Sequence, residues 1–256
     1  MASIKSVVSG IVRVPLRAIP NGTVVPILRG PLRGRKWTTG TLTHQCWLGG
    51  YEPERQAEFA RLIRKGDVVL DVGANVGFYS LLGAVLAGRE GRVIAFEPVG
   101  ENVAHLRRHL SLNELEDRVE VIEAAVANRP GLRRFTTGEY RATGKLDGGG
   151  DIEIPAVSLD DMMDEGRLSR VDFIKIDVEG AELEVLEGAM EMLKRFRPRL
   201  VVELHNPEMD RRCPELLRKL GYRIEPMDLW EDGVTVRGGF TALPGGSEQS
   251  FPPIPS

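Results

Sequence analysis

The chain has 256 residues, of which 42% are hydrophobic and 28% are charged, and its formal net charge is −3. This length and composition are typical of one α/β domain with some extension. The small negative charge gives no general attraction to nucleic acid or to an anionic membrane. No apolar run in the sequence approaches the ~18 residues of a membrane span.

The N-terminal residues carry an uneven share of the basic charge. Residues 1–51 contain seven Lys or Arg and no Asp or Glu, so the remaining residues have a net charge of −10. We expect residues 1–50 to form a basic N-terminal extension of short strands and loops. An organelle transit peptide or an anion-binding segment is the alternative. The only two cysteines, Cys46 and Cys213, lack metal-ligand spacing, which favours a reducing, cytoplasmic location.

Strand and helix patterns alternate from residue 51 onward. A helix is predicted to begin near Pro53 and to stop at Gly66. Six apolar runs then predict strands, with helical spacing of apolar residues between most of them. The strand segments are "DVVLDV", "RVIAFE", "RVEVIEAAV", "VDFIKID", "RLVVELH" and "YRIEPM". The alternation predicts a three-layer α/β/α fold with a mostly parallel sheet covered on both faces.

Residues 131–158 interrupt this alternation. The segments "LRRFTT" and "IEIPAVS" predict two additional strands around a glycine-rich loop. Ser158 followed by Asp161 predicts a capped helix start. Residues 241–256 are rich in Pro and Gly and are predicted to be a disordered tail. Residues 51–240 are therefore assigned to the main domain.

The first strand of the alternation leads into a glycine turn, "VVLDVGANVGFYS". In parallel sheets, ligands bind beyond the carboxyl ends of the strands, which is where Asp71, Gly73, Asn75 and Gly77 fall. Glycines let the backbone approach a ligand near a helix N-terminus. The turn lacks the third glycine of the dinucleotide fingerprint, and an anionic Asp71 repels a pyrophosphate but attracts an ammonium group. This chemistry favours S-adenosylmethionine, with an ordinary strand-to-helix turn as the alternative.

A second acidic residue supports an adenosyl cofactor. Glu97 ends the second strand of the alternation, 24 residues after Gly73. That position suits a carboxylate that accepts hydrogen bonds from ribose hydroxyls. A solvated acid at a strand end is the alternative interpretation.

Charged residues also occur on the two inner strands. Lys175 interrupts "FIKIDVEGAE", and a buried lysine needs a partner, for which Asp177 is nearest by spacing. Glu203 and His205 share a face at the end of the fifth strand. We hypothesise that His205 is the general base for an acceptor hydroxyl and that Asp177 or Glu203 orients it. A structural ion pair and a loop histidine without chemistry are the alternatives.

No metal site is predicted from the sequence. His105 and His109 are four residues apart, but no third ligand is near in sequence, so we expect a surface helix face. A divalent ion held by Asp177 and Glu203 is not expected but stays open as an alternative.

Taken together, these motifs resemble the FkbM-type S-adenosylmethionine-dependent methyltransferases from about Gly30 to Met227. The resemblance is carried by "GPLRGRKW", "LGGYEPE", "VVLDVGANVGFYS", "VIAFEP", "VEVIEAAVAN", "VSLDD", "FIKIDVEGAELEVLEGA" and "LVVELH". It implies the class I methyltransferase fold, a Rossmann-like arrangement with a seven-stranded sheet whose last strand is antiparallel. It also implies methylation of a hydroxyl group on a sugar, glycan or natural product.

The resemblance further implies roles for individual residues. The implied cofactor pocket consists of Asp71, Gly73, Asn75, Gly77 and Glu97, with the backbone near Ala125 facing the adenine. The acidic signature after the fourth strand is matched by Asp177 and Glu179. Tyr51 and Glu52 match the start of the domain and are candidates for substrate contact, with helix capping as the alternative. Further substrate contacts are expected in the loop over residues 139–150.

Other functions remain as alternatives at this point. One is methylation of nitrogen on a small amine or a protein, and another is a relative that binds the cofactor without turnover. A nicotinamide-dependent oxidoreductase is disfavoured because its glycine pattern is absent. A nucleic acid partner is disfavoured because the main domain has no basic, aromatic-rich patch. The expected partner is a small-molecule or glycan acceptor, and the oligomeric state is not readable from the sequence.

Overall fold

The computed structural model describes residues 19–137, 144–146, 152–231 and 234–245. The strands of this part of the chain are β1 (Val24–Pro26), β2 (Lys36–Thr38), β3 (Val68–Val72), β4 (Arg92–Phe96), β5 (Val119–Ile122), β6 (Ala125–Val126), β7 (Gly131–Thr137), β8 (Gly144–Leu146), β9 (Ile152–Val157), β10 (Phe173–Ile176), β11 (Arg199–Glu203), β12 (Tyr222–Glu231) and β13 (Val234–Pro244). The helices are α1 (Gln45–Leu48), α2 (Pro53–Leu62), α3 (Phe78–Ala87), α4 (Gly100–Leu112), α5 (Leu159–Asp164), α6 (Glu182–Glu187), α7 (Met190–Phe196) and α8 (Pro207–Lys219). None of the helices in the described residues combines the length and the hydrophobicity that a membrane span requires.

A seven-stranded sheet forms the centre of the molecule, in the order β12-β13-β11-β10-β3-β4-β5. The inner pairs are parallel, whereas β13 pairs antiparallel with both β11 and β12. The predicted fold, a mostly parallel sheet with an antiparallel last strand, is confirmed. The chain builds outward from β3 through β4 to β5 and then returns to place β10 on the other side of β3. The order therefore reverses between β3 and β10, which is where such sheets bind ligands.

Successive residues on the inner strands face opposite layers of helices. On β3, Val69 packs in the hydrophobic cluster that includes Leu81 of α3, whereas Leu70 packs in the cluster that includes Leu186 of α6. Burial on both faces explains why these strands read as continuous apolar runs. Charged residues on such strands, of which Lys175 is one, are therefore unusual and require partners.

Two predicted elements are divided in the structure. The predicted third strand, "RVEVIEAAV", splits into β5 in the central sheet and β6 in a four-stranded sheet of order β6-β9-β7-β8, because the chain bends where the Ala124 amide donates to the Ile122 carbonyl. The predicted helix after the fourth strand splits into α6 and α7. The break lies at Gly188, whose carbonyl accepts from Ser158 Oγ and the Asp160 amide. The predicted strands β7 and β9 and the Ser158 helix cap are confirmed.

The C-terminal strands differ from the predicted boundary. The sixth predicted strand extends to residue 231 and pairs with β13, which runs to Pro244. Residues 241–244, which the sequence analysis assigns to a tail, therefore lie in the central sheet. Strand β13 pairs with β12 on one side and with β11 on the other, which supplies hydrogen bonds that composition alone does not reveal. Residues 246–256 lie outside the described residues.

The described part of the basic N-terminal segment packs on the main domain. Trp37 of β2 is fully buried and stacks on the imidazole of His109, with ring centroids 3.7 Å apart. The His109 Nδ1–H group donates to the Val76 carbonyl at 2.8 Å, and Nε2 accepts from the Thr38 amide at 3.2 Å. The prediction that His109 lies on a surface helix face is therefore wrong. A two-position histidine pattern cannot show which face of α4 the N-terminal strands cover.

A tight approach between two loops positions the carboxyl ends of β3 and β10. Gly73 follows β3 with φ +79°, and a Cβ atom at this position would lie 1.8 Å from the Asp177 carbonyl oxygen. The hydrogen bonding between β3 and β10 extends to these turns, since the Asp177 amide donates to the Val72 carbonyl. Only glycine lets the two turns meet at this distance.

Replacing Gly73 with alanine should therefore separate the two turns. We expect Gly73→Ala to lower the free energy of unfolding by about 2 kcal/mol or more, since it adds a backbone clash to the strain of a positive φ. Chemical denaturation measures this change. Gly66→Ala is the matched control, because Gly66 has φ +83° with no atom within 4 Å of an added Cβ. Equal losses in the two variants would contradict the proposed clash.

The burial of His109 predicts a pH-dependent stability. Burial lowers the pKa of His109 to about 4, below the value of about 6.5 expected in the unfolded chain. Between these values the unfolded chain binds a proton that the folded protein does not. The stabilisation is therefore complete above about pH 6.5 and is lost as the pH falls to about 4, by up to ~3 kcal/mol.

Urea titrations from pH 8 to pH 4 test this linkage. In His109→Phe the aromatic stack on Trp37 can remain, and we expect the slope of stability against pH in this window to decrease. His105→Gln on the same helix is the control and should retain most of the wild-type slope, because burial and not the charge of His105 is the main cause of the lowered pKa of His109. An unchanged slope in His109→Phe would show that other groups cause the acid sensitivity.

Candidate functional site

The candidate site is built around a buried lysine at the end of β10. The Lys175 ammonium lies 2.7 Å from the Gly73 carbonyl oxygen, 3.3 Å from Asp71 Oδ1 and 3.2 Å from Asp177 Oδ2. The predicted pairing of Lys175 with Asp177 is confirmed. Burial opposes the charge of Lys175, but the Asp177 and Asp71 carboxylates outweigh that effect and raise its pKa. Lys175 is therefore charged and ties the glycine turn to the acidic turn after β10.

Asp71 stabilises the glycine turn from the buried side of the sheet end. Its side chain is 1% exposed, its Oδ2 accepts from Ser80 Oγ at 2.6 Å, and its Oδ1 faces Lys175. The sequence analysis expects Asp71 to attract the ammonium group of the cofactor. The structure instead directs this carboxylate inward, where Oδ2 accepts from Ser80 and Oδ1 is paired electrostatically with Lys175 but accepts no hydrogen bond within the described residues. Its geometry is that of a residue that orders the turn.

Glu97 joins the glycine turn to the end of β4. Its two carboxylate oxygens accept from the amides of Asn75 (2.8 Å) and Val99 (2.9 Å) and from the side-chain amide of Asn102 (3.1 Å). Burial raises the pKa of Glu97, against the effect of these hydrogen bonds. Asn75 itself has φ +49°, and Gly77 has φ +91° at the start of α3. A carboxylate and a helix N-terminus thus meet beside the glycine turn, as binding of an adenosyl group requires.

His205 lies opposite the acidic turn, at the end of β11. Its Nδ1 is 2.6 Å from Glu182 Oε1, and its Nε2 is 3.4 Å from Asp177 Oδ1 and 3.7 Å from Glu179 Oε2. Burial lowers the pKa of His205, but the hydrogen bond to Glu182 and the charges of Asp177 and Glu179 outweigh it and raise the pKa to about 9. At neutral pH the imidazole is therefore protonated, which disfavours its hypothesised role as the general base.

The backbone after β10 folds so that Glu182 reaches His205. Glu179 and Gly180 have φ values of +53° and +103°, and the Gly180 amide donates to Glu182 Oε1 at 3.0 Å. Asn206 caps α8 by accepting from the Glu208 and Met209 amides, both at 3.1 Å. These two local structures hold the imidazole and its carboxylate partner in place.

Arg55 is a site residue that the sequence analysis missed. It projects from α2, is 3% exposed, and forms ion pairs with Glu203 and, at 2.6 Å, with Glu52. Glu52 also accepts a short hydrogen bond from the Tyr79 hydroxyl. Arg55 shares the buried face of α2 with Phe59 and Leu62. The signal available in the sequence was a charged residue at a helical position that continues the apolar stripe of α2.

The remaining predicted residues occupy different positions. Tyr51 packs against the Phe78 ring, with centroids 4.8 Å apart, and precedes Glu52 at the Arg55 side of the site. Ala125 is buried in β6 and pairs with Ala156 of β9. Most of the loop over residues 139–150, where substrate contacts are expected, lies outside the described residues.

Comparison with known proteins agrees with this geometry. Residues 71–224 match the family described as the Methyltransferase FkbM domain. The hexuronic acid methyltransferase AglP of Haloferax volcanii is 28% identical over 175 residues, which cover 67% of this chain and 70% of AglP. The 31-O-demethyl-FK506 methyltransferase FkbM of Streptomyces tacrolimicus is 31% identical over 179 residues, which cover 56% of this chain and 67% of that protein.

Solved methyltransferase structures share the fold. The O-methyltransferase from Bacillus cereus in complex with SAH has a TM-score of 0.51 and 17% identity, and the match covers 75% of this chain and 80% of that chain. The family match spans more than half of the chain and includes the glycine turn, the end of β4 and the acidic turn. The chain therefore belongs to the FkbM methyltransferase family and is an S-adenosylmethionine-dependent methyltransferase.

Proposed function

We propose that the protein methylates a hydroxyl oxygen of a sugar or a small natural product. The observation that supports this most strongly is the group formed by Asp177, Glu203 and His205, whose ligand-type atoms lie within 4.8 Å of one another beside the glycine turn. The similar proteins AglP and FkbM carry names that refer to a hexuronic acid and to a 31-O-demethyl compound, both consistent with an oxygen acceptor.

The cofactor is proposed to lie across the carboxyl ends of β3 and β4. Glu97 retains about one acceptor site for a ribose hydroxyl, since three of the roughly four lone-pair sites of its carboxylate already accept hydrogen bonds. The turn from Gly73 to Gly77 offers its backbone to the amino-acid part of the cofactor. When bound, S-adenosylmethionine supplies an activated methyl group on its sulfonium. The chain provides alignment of the acceptor, which is the main requirement of methyl transfer.

Asp177 is proposed to receive the acceptor proton. In the transfer the S–CH₃ bond breaks, an O–CH₃ bond forms, and S-adenosylhomocysteine leaves with the electron pair. The methylated oxygen is a strong acid until it loses its proton, so a weak base is sufficient. Burial acts against ionisation of Asp177, but Lys175 and His205 lower its pKa and keep it anionic. His205 is assigned to orienting Asp177, because its raised pKa leaves it protonated at neutral pH.

Arg55 is proposed to position Glu203 at the edge of the same site. Burial and the nearby Asp177 charge raise the pKa of Glu203, against the attraction of Arg55 and Lys175. The carboxylate is 9% exposed and holds the Arg55 guanidinium. Without that cation the buried carboxylate would keep only the attraction of Lys175 against the surrounding negative charges.

Cofactor binding and the role of Asp177 can be measured separately. At 100-fold excess over its Kd, S-adenosylhomocysteine should raise Tm by about 5–10 °C, whereas NAD should not. We expect Asp177→Asn to keep this shift but to lower the rate of S-adenosylhomocysteine release by ~100-fold or more, with a panel of hexuronic acids and methyl glycosides as acceptors. Asp164→Asn, an exposed acid on α5, is the control. A wild-type rate in Asp177→Asn would remove this residue from the mechanism.

The Arg55–Glu203 pair predicts a non-additive effect on stability. Arg55→Met should cost about 3–5 kcal/mol because it leaves a buried charge unpaired. Adding Glu203→Gln should recover part of that loss, since the neutral amide no longer requires a cation. Denaturant titrations of the two single variants and the double variant give the coupling free energy. Additive losses would contradict a direct interaction between these side chains.

A further inference from the structure

Three side chains at the ends of β10 and β11 converge on one point. Asp177, Glu203 and His205 each offer one ligand atom, and these atoms all lie within 4.8 Å of one another. Around an ion with bond lengths of about 2.2 Å, opposite ligands are about 4.4 Å apart and adjacent ligands about 3.1 Å apart. The Asp177 Oδ1 to His205 Nε2 distance of 3.4 Å is close to the adjacent spacing. Small movements would therefore bring all three groups to one cation.

The imidazole is oriented as a metal ligand requires. The Nδ1 atom of His205 is 2.6 Å from the buried Glu182 carboxylate, which leaves Nε2 directed at the other two groups. The Nε2 contacts, at 3.4 Å to Asp177 and 3.7 Å to Glu179, are longer than ordinary hydrogen bonds. A carboxylate behind the distal nitrogen is the usual support of a metal-bound histidine.

Both carboxylates are held by buried cations. Lys175 contacts Asp177 Oδ2, and Oδ1 faces His205. Arg55 contacts Glu203 Oε1, which is buried and accepts no hydrogen bond within the described residues. The ligand atom of Glu203 lies within 4.8 Å of those of Asp177 and His205, so all three side chains are held where one cation could bind them.

The charge balance of the cluster supports the same conclusion. Within the described residues, the connected network contains six carboxylates, those of Glu52, Asp71, Asp177, Glu179, Glu182 and Glu203. Its permanent cations are Lys175 and Arg55. The carboxyl groups of the network outnumber its permanent cations by four, and a divalent ion would offset two of these. S-adenosylmethionine, with a net charge of +1, compensates only one of them.

We propose that Asp177 Oδ1, a carboxylate oxygen of Glu203 and His205 Nε2 bind a divalent transition-metal ion of the Mn²⁺ type. Two carboxylate oxygens and one imidazole nitrogen suit such an ion better than Mg²⁺ or Ca²⁺, which prefer oxygen alone. Three protein ligands leave coordination positions for the acceptor hydroxyl. With the ion bound, His205 is an unprotonated ligand, and Asp177 is a ligand instead of the base that it is in the metal-free site. The ion would lower the pKa of the acceptor hydroxyl, whose proton passes to water. The oxygen then takes the methyl group, and the electron pair of the S–CH₃ bond leaves with S-adenosylhomocysteine. This second part rests on the proposed function.

Mn²⁺ binding can be measured without turnover by electron paramagnetic resonance of the free ion. We expect saturable binding of one Mn²⁺ per chain in the wild type. Binding should weaken at least tenfold in His205→Gln and Glu203→Gln, and about 10–100-fold in Glu182→Gln, which removes the support of the imidazole. His105→Gln and Glu187→Gln are matched controls outside the cluster and should bind as the wild type does. Circular dichroism identifies any variant that fails to fold.

Each outcome separates the metal site from the methyl-transfer proposal. Absence of saturation up to about 1 mM Mn²⁺, or unchanged binding in both His205→Gln and Glu203→Gln, would overturn the metal site. The Tm shift with S-adenosylhomocysteine would still test the methyl donor independently. If Mn²⁺ binds but the methyl-transfer rate is the same with and without a chelator, the assigned contact with the acceptor is wrong. Loss of rate with chelator and recovery with Mn²⁺ supports both parts.

Discussion

A buried ammonium group holds the centre of this protein together. Lys175 lies on an inner strand that is otherwise apolar on both faces, where an unpaired charge would be too costly to keep. Its partners come from both sides of the point where the sheet order reverses: the Gly73 carbonyl and Asp71 from β3, and Asp177 from β10. The two loops that form the site therefore cannot separate without exposing or unpairing a charge.

The requirement that buried charges be paired also applies to the residues around Lys175. On the side of the glycine turn, Asp71 holds Ser80 of α3, and Glu97 holds the Asn75 amide. On the side of β11, carboxylates of the acidic turn lie close to His205. A second buried cation, Arg55, arrives from α2 and so couples the start of the domain to β11. Because the carboxylates outnumber the cations, the site favours positively charged ligands, which is the property shared by a sulfonium donor and a metal ion.

Patterns that depend on neighbouring residues were read correctly from the sequence. The inner strands, the Ser158 cap and the Lys175–Asp177 pair all follow from spacing along the chain, and the antiparallel last strand follows from the family resemblance. Patterns that depend on contacts between residues far apart in sequence were not read correctly. The break at Gly188 and the burial of His109 reflect contacts with Ser158 and Trp37, which are remote in sequence. Strand β13 likewise exists through its pairing with β11 and β12.

The sequence by itself determined the fold class and the methyltransferase family, and it indicated the carboxyl-end residues of the candidate site, because strand period, glycine spacing and strand-end acids are local signals. Only the tertiary structure decided what those residues do for one another. It turned Asp71 inward to Lys175, brought Glu182 behind His205, and placed Arg55 against Glu203. Each of these pairings depends on which charges share a region of low dielectric, and that is set by packing between elements far apart along the chain.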